Sequence, residues 1–200
     1  MSGTERTAIE LGEGDALVIV DVQNDFLPGG ALAVPHSDEI LPVVNGYIAA
    51  FELCGLPIYM TRDWHPPDHC SFREFGGPWP THCVADSYGA AFSTELKFAS
   101  SFTIVSKATT SDLEYYSDFG TTNFEANLRA AGASRLFIGG LATDYCVLST
   151  VRDALALGFK THLLLDAIRG VDVQPGDSQK AEQEMIRLGA VPTNLRDLAS

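Results

Sequence analysis

Residues 135–158 read RLFIGGLATDYCVLSTVRDALALG. After Arg135, the residues to Gly140 are an apolar run of strand type. Thr143 then stands as an N-cap, and 144–157 reads as a helix. Its apolar residues Val147, Val151, Ala154 and Leu155 fall at i, i+4, i+7 and i+8, which is one helical face. Gly158 follows at the C′ position that closes such a helix. A strand leading through Gly139-Gly140 into an amphipathic helix is half of a βαβ unit, and the chain repeats the pattern on both sides. Strands are predicted at 16–21, 57–63, 102–107, 135–140, 160–166 and 190–193. Helices are predicted at 38–53, with Pro42 delaying the start, at 122–131 behind a Thr122…Glu125 capping box, at 144–157 and at 178–188. Several strands are apolar on both faces, as strands covered on both sides must be. The expected fold is a three-layer α/β/α domain around a central, mostly parallel six-stranded sheet.

Residues 1–14 read as a polar tail and 15–200 as one domain. Residues 64–101 break the rhythm: they are long, weakly periodic and rich in Pro, Gly, His and aromatics. A loop of that length inside a compact domain is usually functional or disordered, and its two Trp residues argue against disorder.

Charge narrows the function. Lys+Arg number 13 against 26 Asp+Glu, a net charge of −13. Such a surface repels nucleic acid and anionic membranes. Apolar stretches such as 16–20 are too short to span a bilayer. The first residues carry no basic segment followed by an apolar run, so the expectation is a cytoplasmic protein with Cys54, Cys70, Cys83 and Cys146 reduced.

In an open parallel sheet, ligands bind beyond the carboxyl ends of the strands. The predicted ends are Asp21, Asp63 and Lys107, and the fourth strand leads to Cys146 in the first turn of its helix. That position is expected to favour the thiolate, the nucleophilic form. Gly139-Gly140 is expected to let backbone approach a substrate, with the N–H groups of Ala142 and Cys146 holding an oxyanion. Asp21 is a candidate base for the thiol and Lys107 a candidate partner for its charge. Taken singly these residues equally suit a helical core cysteine and a strand-end ion pair; together they point to nucleophilic catalysis. Asp63, His65 and His82 suit a two-His, one-carboxylate site for Zn, Fe or Mn. A closed zinc site built from Cys70, Cys83 and two histidines is the competing arrangement, without a C-x-x-C knuckle to support it.

The segments Val20-Asp21-Val22-Gln23-Asn24-Asp25-Phe26, Thr61-Arg62-Asp63-Trp64-His65-Pro66, Trp79-Pro80-Thr81-His82-Cys83, Lys107 and 140–147 (GLATDYCV) together resemble the isochorismatase-like cysteine hydrolases, over about 16–193. The D-x-H element with W-P-x-H-C is similar to the nicotinamidase/pyrazinamidase branch. The resemblance implies the isochorismatase-like, Rossmann-like topology and a catalytic triad of Asp21, Lys107 and Cys146. It implies one divalent metal ion, foremost zinc, on Asp63, His65 and His82, with His69 or Ser71 at a fourth position. Phe26 and Trp79 would line a pyridine pocket, Tyr145 would adjust it, and Leu141–Ala142 would be a cis peptide. The implied reaction is hydrolysis of nicotinamide, and of pyrazinamide, through a thioester, in NAD salvage. A homo-oligomer would be compatible. Three alternatives suit parts of the same sequence: hydrolysis of another small amide or an enol ether, an inactive small-molecule binder, and a thiol redox protein, for which no C-x-x-C pair is present.

Overall fold

The computed structural model describes residues 8–120 and 122–199. It contains strands β1 (Asp15–Val20), β2 (Ile58–Asp63), β3 (Thr103–Lys107), β4 (Arg135–Leu141), β5 (Lys160–Arg169) and β6 (Val191–Thr193). The helices are α1 (Leu41–Leu53), α2 (Phe124–Ala130), α3 (Leu148–Ala156) and α4 (Asp177–Leu188). All strand pairs are parallel, in the order β3-β2-β1-β4-β5-β6. The order reverses between β1 and β4, which opens a crevice at their carboxyl ends.

Alternation along β1 divides the core. Leu17 and Ile19 face one layer with Tyr47, Ile48 and Phe51 of α1. Ala16, Val18 and Val20 face the other with Phe124, Leu128, Val151 and Met185 of α2, α3 and α4. Handedness explains the split: right-handed crossovers that step in opposite directions along a sheet lie on opposite faces. The β2–β3 connection carries no α-helix, only a 3-10 turn at Arg73–Phe75; Leu96 and Ala99 of the long loop pack on the α1 side.

Several local expectations are corrected. Residues Ser37–Ile40 form a 3-10 turn, and α1 begins at Leu41 with Pro42 in its first turn, where a missing N–H costs nothing. The capping box at Thr122 does not form: the Phe124 N–H donates to the Thr122 hydroxyl (3.1 Å), but Glu125 pairs with Arg129 instead of the backbone. The predicted helix 144–157 is a π-helical turn, Thr143–Val147, continuing into α3. Thr143 caps nothing; its buried hydroxyl has no partner. Strand β5 runs on to Arg169 past a register shift against β4. The expected tail is tied down from Ile9, which pairs with Leu198; residues 1–7 lie outside the described residues. At Gly140, φ is 124° and a Cβ would sit 2.0 Å from the Val20 carbonyl, so the neighbouring strand itself requires glycine there. The Leu141–Ala142 peptide is cis. No helix among the described residues is long and apolar enough to cross a membrane.

Candidate active site

Three strand ends and the turn after β4 converge at the crevice. Asp21 follows β1 in a left-handed conformation (φ 49°), its N–H donating to the Thr61 carbonyl (3.2 Å). Asp63 and Lys107 close neighbouring strands in register with each other. Gln23 clamps the Asp63 backbone from both sides, donating to its carbonyl (2.8 Å) and accepting its N–H (2.8 Å). Asp25 accepts the Cys83 N–H (2.7 Å) and so anchors the loop segment that carries His82.

The charges form a buried chain. Lys107 Nζ donates to Asp21 Oδ2 and to Asp63 Oδ1, the latter at 2.8 Å. Thr61 donates to the other Asp21 oxygen (2.8 Å). Carboxylate oxygens of Asp21 and Asp63 and the Cys146 sulfur all lie within 4.8 Å of one another. Burial pushes the Asp21 carboxyl up, Lys107 pulls it back and Asp63 adds to the rise; the net value is about 6. Burial is also the main influence on Cys146, and it holds the thiol well above its ordinary range despite Lys107. Burial thus works against the thiolate that the helix-terminus position was expected to favour, and a thiol so placed needs a base to take its proton. The Asp21 carboxylate, close to the sulfur and raised to about 6, is the candidate for that base. Carboxylate neighbours outweigh burial at Lys107 and keep it charged.

Next to this chain, ligand atoms of Asp63, His65 and His82 also lie within 4.8 Å of one another. The donor set fits a divalent ion. His65 Nδ1 faces the Ala108 carbonyl (3.1 Å) and His82 Nδ1 the Pro80 carbonyl (2.8 Å). Each ring thus presents Nε2, the arrangement by which backbone carbonyls orient metal-binding imidazoles. Burial lowers both histidines, His65 to about 4, which favours the neutral imidazole that a metal ion binds. Burial would raise Asp63, but the Lys107 ammonium beside it outweighs that and holds the carboxyl below its ordinary range. His69 does not join them. Its ring stacks on His65 at 4.1 Å, and its nitrogens face Ser71 Oγ (2.8 Å) and the Leu113 carbonyl (3.1 Å). Cys70 and Cys83 are not part of the cluster, and all four cysteines are free.

A narrow pocket opens onto Cys146, Asp63 and His82, lined by Phe26, Trp79, Tyr145 and Ala142. Tyr116, Leu32 and Val171 complete it. Tyr116 accepts the Trp79 indole N–H (3.0 Å), and Tyr145 packs edge-on against Trp79 at 5.0 Å. Tyr116, and Asp118 at 3.7 Å from Lys107 Nζ, belong to the site without standing out in the sequence. Their segment, 113–119 (LEYYSDF), clusters aromatics and acids without regular periodicity, the one signal it offered.

A thiol, a base of raised pKa and a charged lysine beneath an aromatic pocket can carry acyl transfer through sulfur. The class so defined is that of hydrolases working through a cysteine. The chain belongs to the isochorismatase family, whose Isochorismatase domain matches residues 15–197. It is 37% identical to the nicotinamidase of Escherichia coli (strain K12), over 91% of this chain and 95% of that one. The structure of the pyrazinamidase of Pyrococcus horikoshii in complex with zinc is similar at a TM-score of 0.87 and 47% identity, covering 90% of this chain and 99% of that one. PnC1 from L. infantum, in complex with nicotinate, is similar at a TM-score of 0.89 and 33% identity, covering 96% and 98%.

Proposed function

We propose that this protein hydrolyses nicotinamide, and the close analogue pyrazinamide, to the carboxylate and ammonia, supplying NAD salvage. The observation that carries this reading is the shared carboxylate: Asp63 belongs both to the thiol–acid–lysine chain and to the metal-type cluster, at the floor of one aromatic pocket. The ring of the substrate lies between Phe26 and Trp79, and Tyr145 closes the side. Asp21 takes the Cys146 proton, and the sulfur attacks the amide carbon. The N–H groups of Ala142 and Cys146 receive the oxyanion. Asp21 returns the proton to the departing ammonia, and water then cleaves the thioester, with Asp21 again as base. Lys107 stays charged throughout and holds Asp21 in place. A divalent ion held by Asp63, His65 and His82 would act as a Lewis acid that binds and orients the pyridine nitrogen. We take that ion to be zinc, which two imidazoles and a carboxylate suit, although Fe and Mn accept the same donors. We place the reaction in the cytoplasm, where free thiols stay reduced.

The test is ammonia release from nicotinamide by purified protein, before and after dialysis against a chelator. Release that is lost on chelation and restored by Zn²⁺ is the expected result; no release from metal-loaded protein overturns the reading. His82→Ala should lower metal content, measured by elemental analysis, and raise KM. The pH profile follows from Asp21. A base must be unprotonated, so kcat/KM is expected to fall as pH drops through about 6. Below that, one proton is bound per active site and the limb should steepen to about tenfold per pH unit. A flat profile down to pH about 4, the ordinary carboxylate range, would remove Asp21 as the base.

A further inference from the structure

Asp118 is a buried acid for which the triad, the metal cluster and the pocket all have no use. It is fully buried, yet one carboxylate oxygen, Oδ1, has no hydrogen-bond partner. That oxygen faces Lys107 Nζ at 3.7 Å. The other oxygen, Oδ2, accepts the Thr150 hydroxyl (3.2 Å), and the Asp118 N–H donates back to the same hydroxyl (3.2 Å). Thr150 lies on α3 four residues beyond Cys146, one helical turn along the same face.

Lys107 carries three N–H donors. Two are committed, to Asp21 and to Asp63. An unpartnered carboxylate oxygen thus lies within reach of the ammonium's remaining donor. We propose that Asp118 is a positioning residue of the active site, the third wall of a carboxylate socket that fixes Lys107 and, through it, the base Asp21, and that Thr150 ties this socket to the helix bearing Cys146. Burying an acid with an unpaired oxygen destabilises a fold, and an apolar residue of similar volume would pack the site better. Packing therefore does not explain Asp118, whereas holding the lysine does. Burial lifts its carboxyl and Lys107 pulls it part of the way back, to about 7, so the lysine is the neighbour that most favours its charged form. The 3.7 Å separation suits a contact that tightens once substrate fills the pocket.

The inference rests on the amidase reading for its kinetic arm only. Asp118→Ala should lower kcat on the order of tenfold, since a small misplacement of a catalytic group has that cost, while KM stays within about twofold. Asp118→Asn keeps an oxygen toward Lys107 and a partner for Thr150, and should recover most of the loss. A second arm needs no substrate: the rate at which iodoacetamide alkylates Cys146, resolved from Cys54, Cys70 and Cys83 by peptide mass spectrometry. If Asp118 positions the base, alkylation slows in Asp118→Ala and recovers in Asp118→Asn. If it acts only as a negative charge, its removal favours the thiolate and alkylation quickens. Quickened or unchanged alkylation overturns the proposal, as does a matched change in kcat and KM. Wild-type protein inert toward nicotinamide, with alkylation slowed by Asp118→Ala, would sink the amidase reading and leave the socket standing. Should Asp118→Ala fail to fold, Thr150→Val frees the same carboxylate from α3. Slower alkylation there supports the tie, and an unchanged rate overturns it.

Discussion

Replacing Cys146 by Ala is expected to abolish ammonia release, with a fall in kcat on the order of 10⁴-fold or more, as when a nucleophile is removed from a unit that acts together. The size follows from the geometry. The sulfur lines the pocket and lies within 4.8 Å of the Asp21 and Asp63 carboxylates, and no second thiol is in that cluster. Cys83 is the buried cysteine nearest in sequence to the metal-type ligands, but burial holds it as a thiol and its N–H is taken by Asp25. Metal content and substrate binding should survive, because Asp63, His65 and His82 are untouched. A single-turnover experiment separates the outcomes: wild-type protein should accumulate a mass adduct on Cys146 under acid quench, and Cys146→Ala none. Turnover persisting in the variant would refute the covalent route and favour direct attack by water.

The layers and the strand ends could be read directly from the sequence because they rest on local rules. The run 16–20 is apolar on both faces, and only a covered parallel sheet uses such a strand. Once the strands are placed, Asp21, Asp63 and Lys107 must emerge at one edge, and the structure puts them there. What eluded the sequence depends on packing between distant segments. The π-helical turn at Thr143–Val147 has no signature in helical spacing, since a one-residue bulge leaves the apolar face of α3 intact. The burial that raises the Cys146 thiol comes from packing around it, which helix position alone does not reveal. Gln23 appears in the sequence as an unremarked amide between two acids, and its clamp on Asp63 spans forty positions. His69 carries the right ligand chemistry, but Ser71 and the Leu113 carbonyl occupy its nitrogens. Asp118 and Tyr116 reach the site from an irregular segment, where no periodicity marks an inward-facing side.

Asp63→Ala is expected to be nearly as severe as loss of the nucleophile, and for two reasons at once. One of its oxygens receives Lys107 Nζ at 2.8 Å, and the other lies 3.8 Å from His65 Nε2, on the side of the metal-type ligands. Truncation therefore removes a candidate metal ligand and one of the carboxylates that hold the Lys107 ammonium beside Asp21. Losing a metal ligand alone, as in His82→Ala, should show mainly as lost metal and raised KM. Losing the lysine's partner should show as lowered kcat, on the order of 10² to 10⁴-fold, the range of acid–base contributions. In Asp63→Ala both should appear together, and added Zn²⁺ should not restore kcat. Asp63→Asn separates the two roles. An amide keeps a neutral acceptor toward Lys107 but binds a divalent ion less well than a carboxylate, so Asn should retain more kcat than Ala at equally low metal content. The two variants would be compared by elemental analysis and steady-state kinetics on the same preparations. Equal kcat in Asn and Ala, or full rescue of Ala by Zn²⁺, would mean that Asp63 serves the ion alone and that Lys107 is held by Asp21 and Asp118 without it.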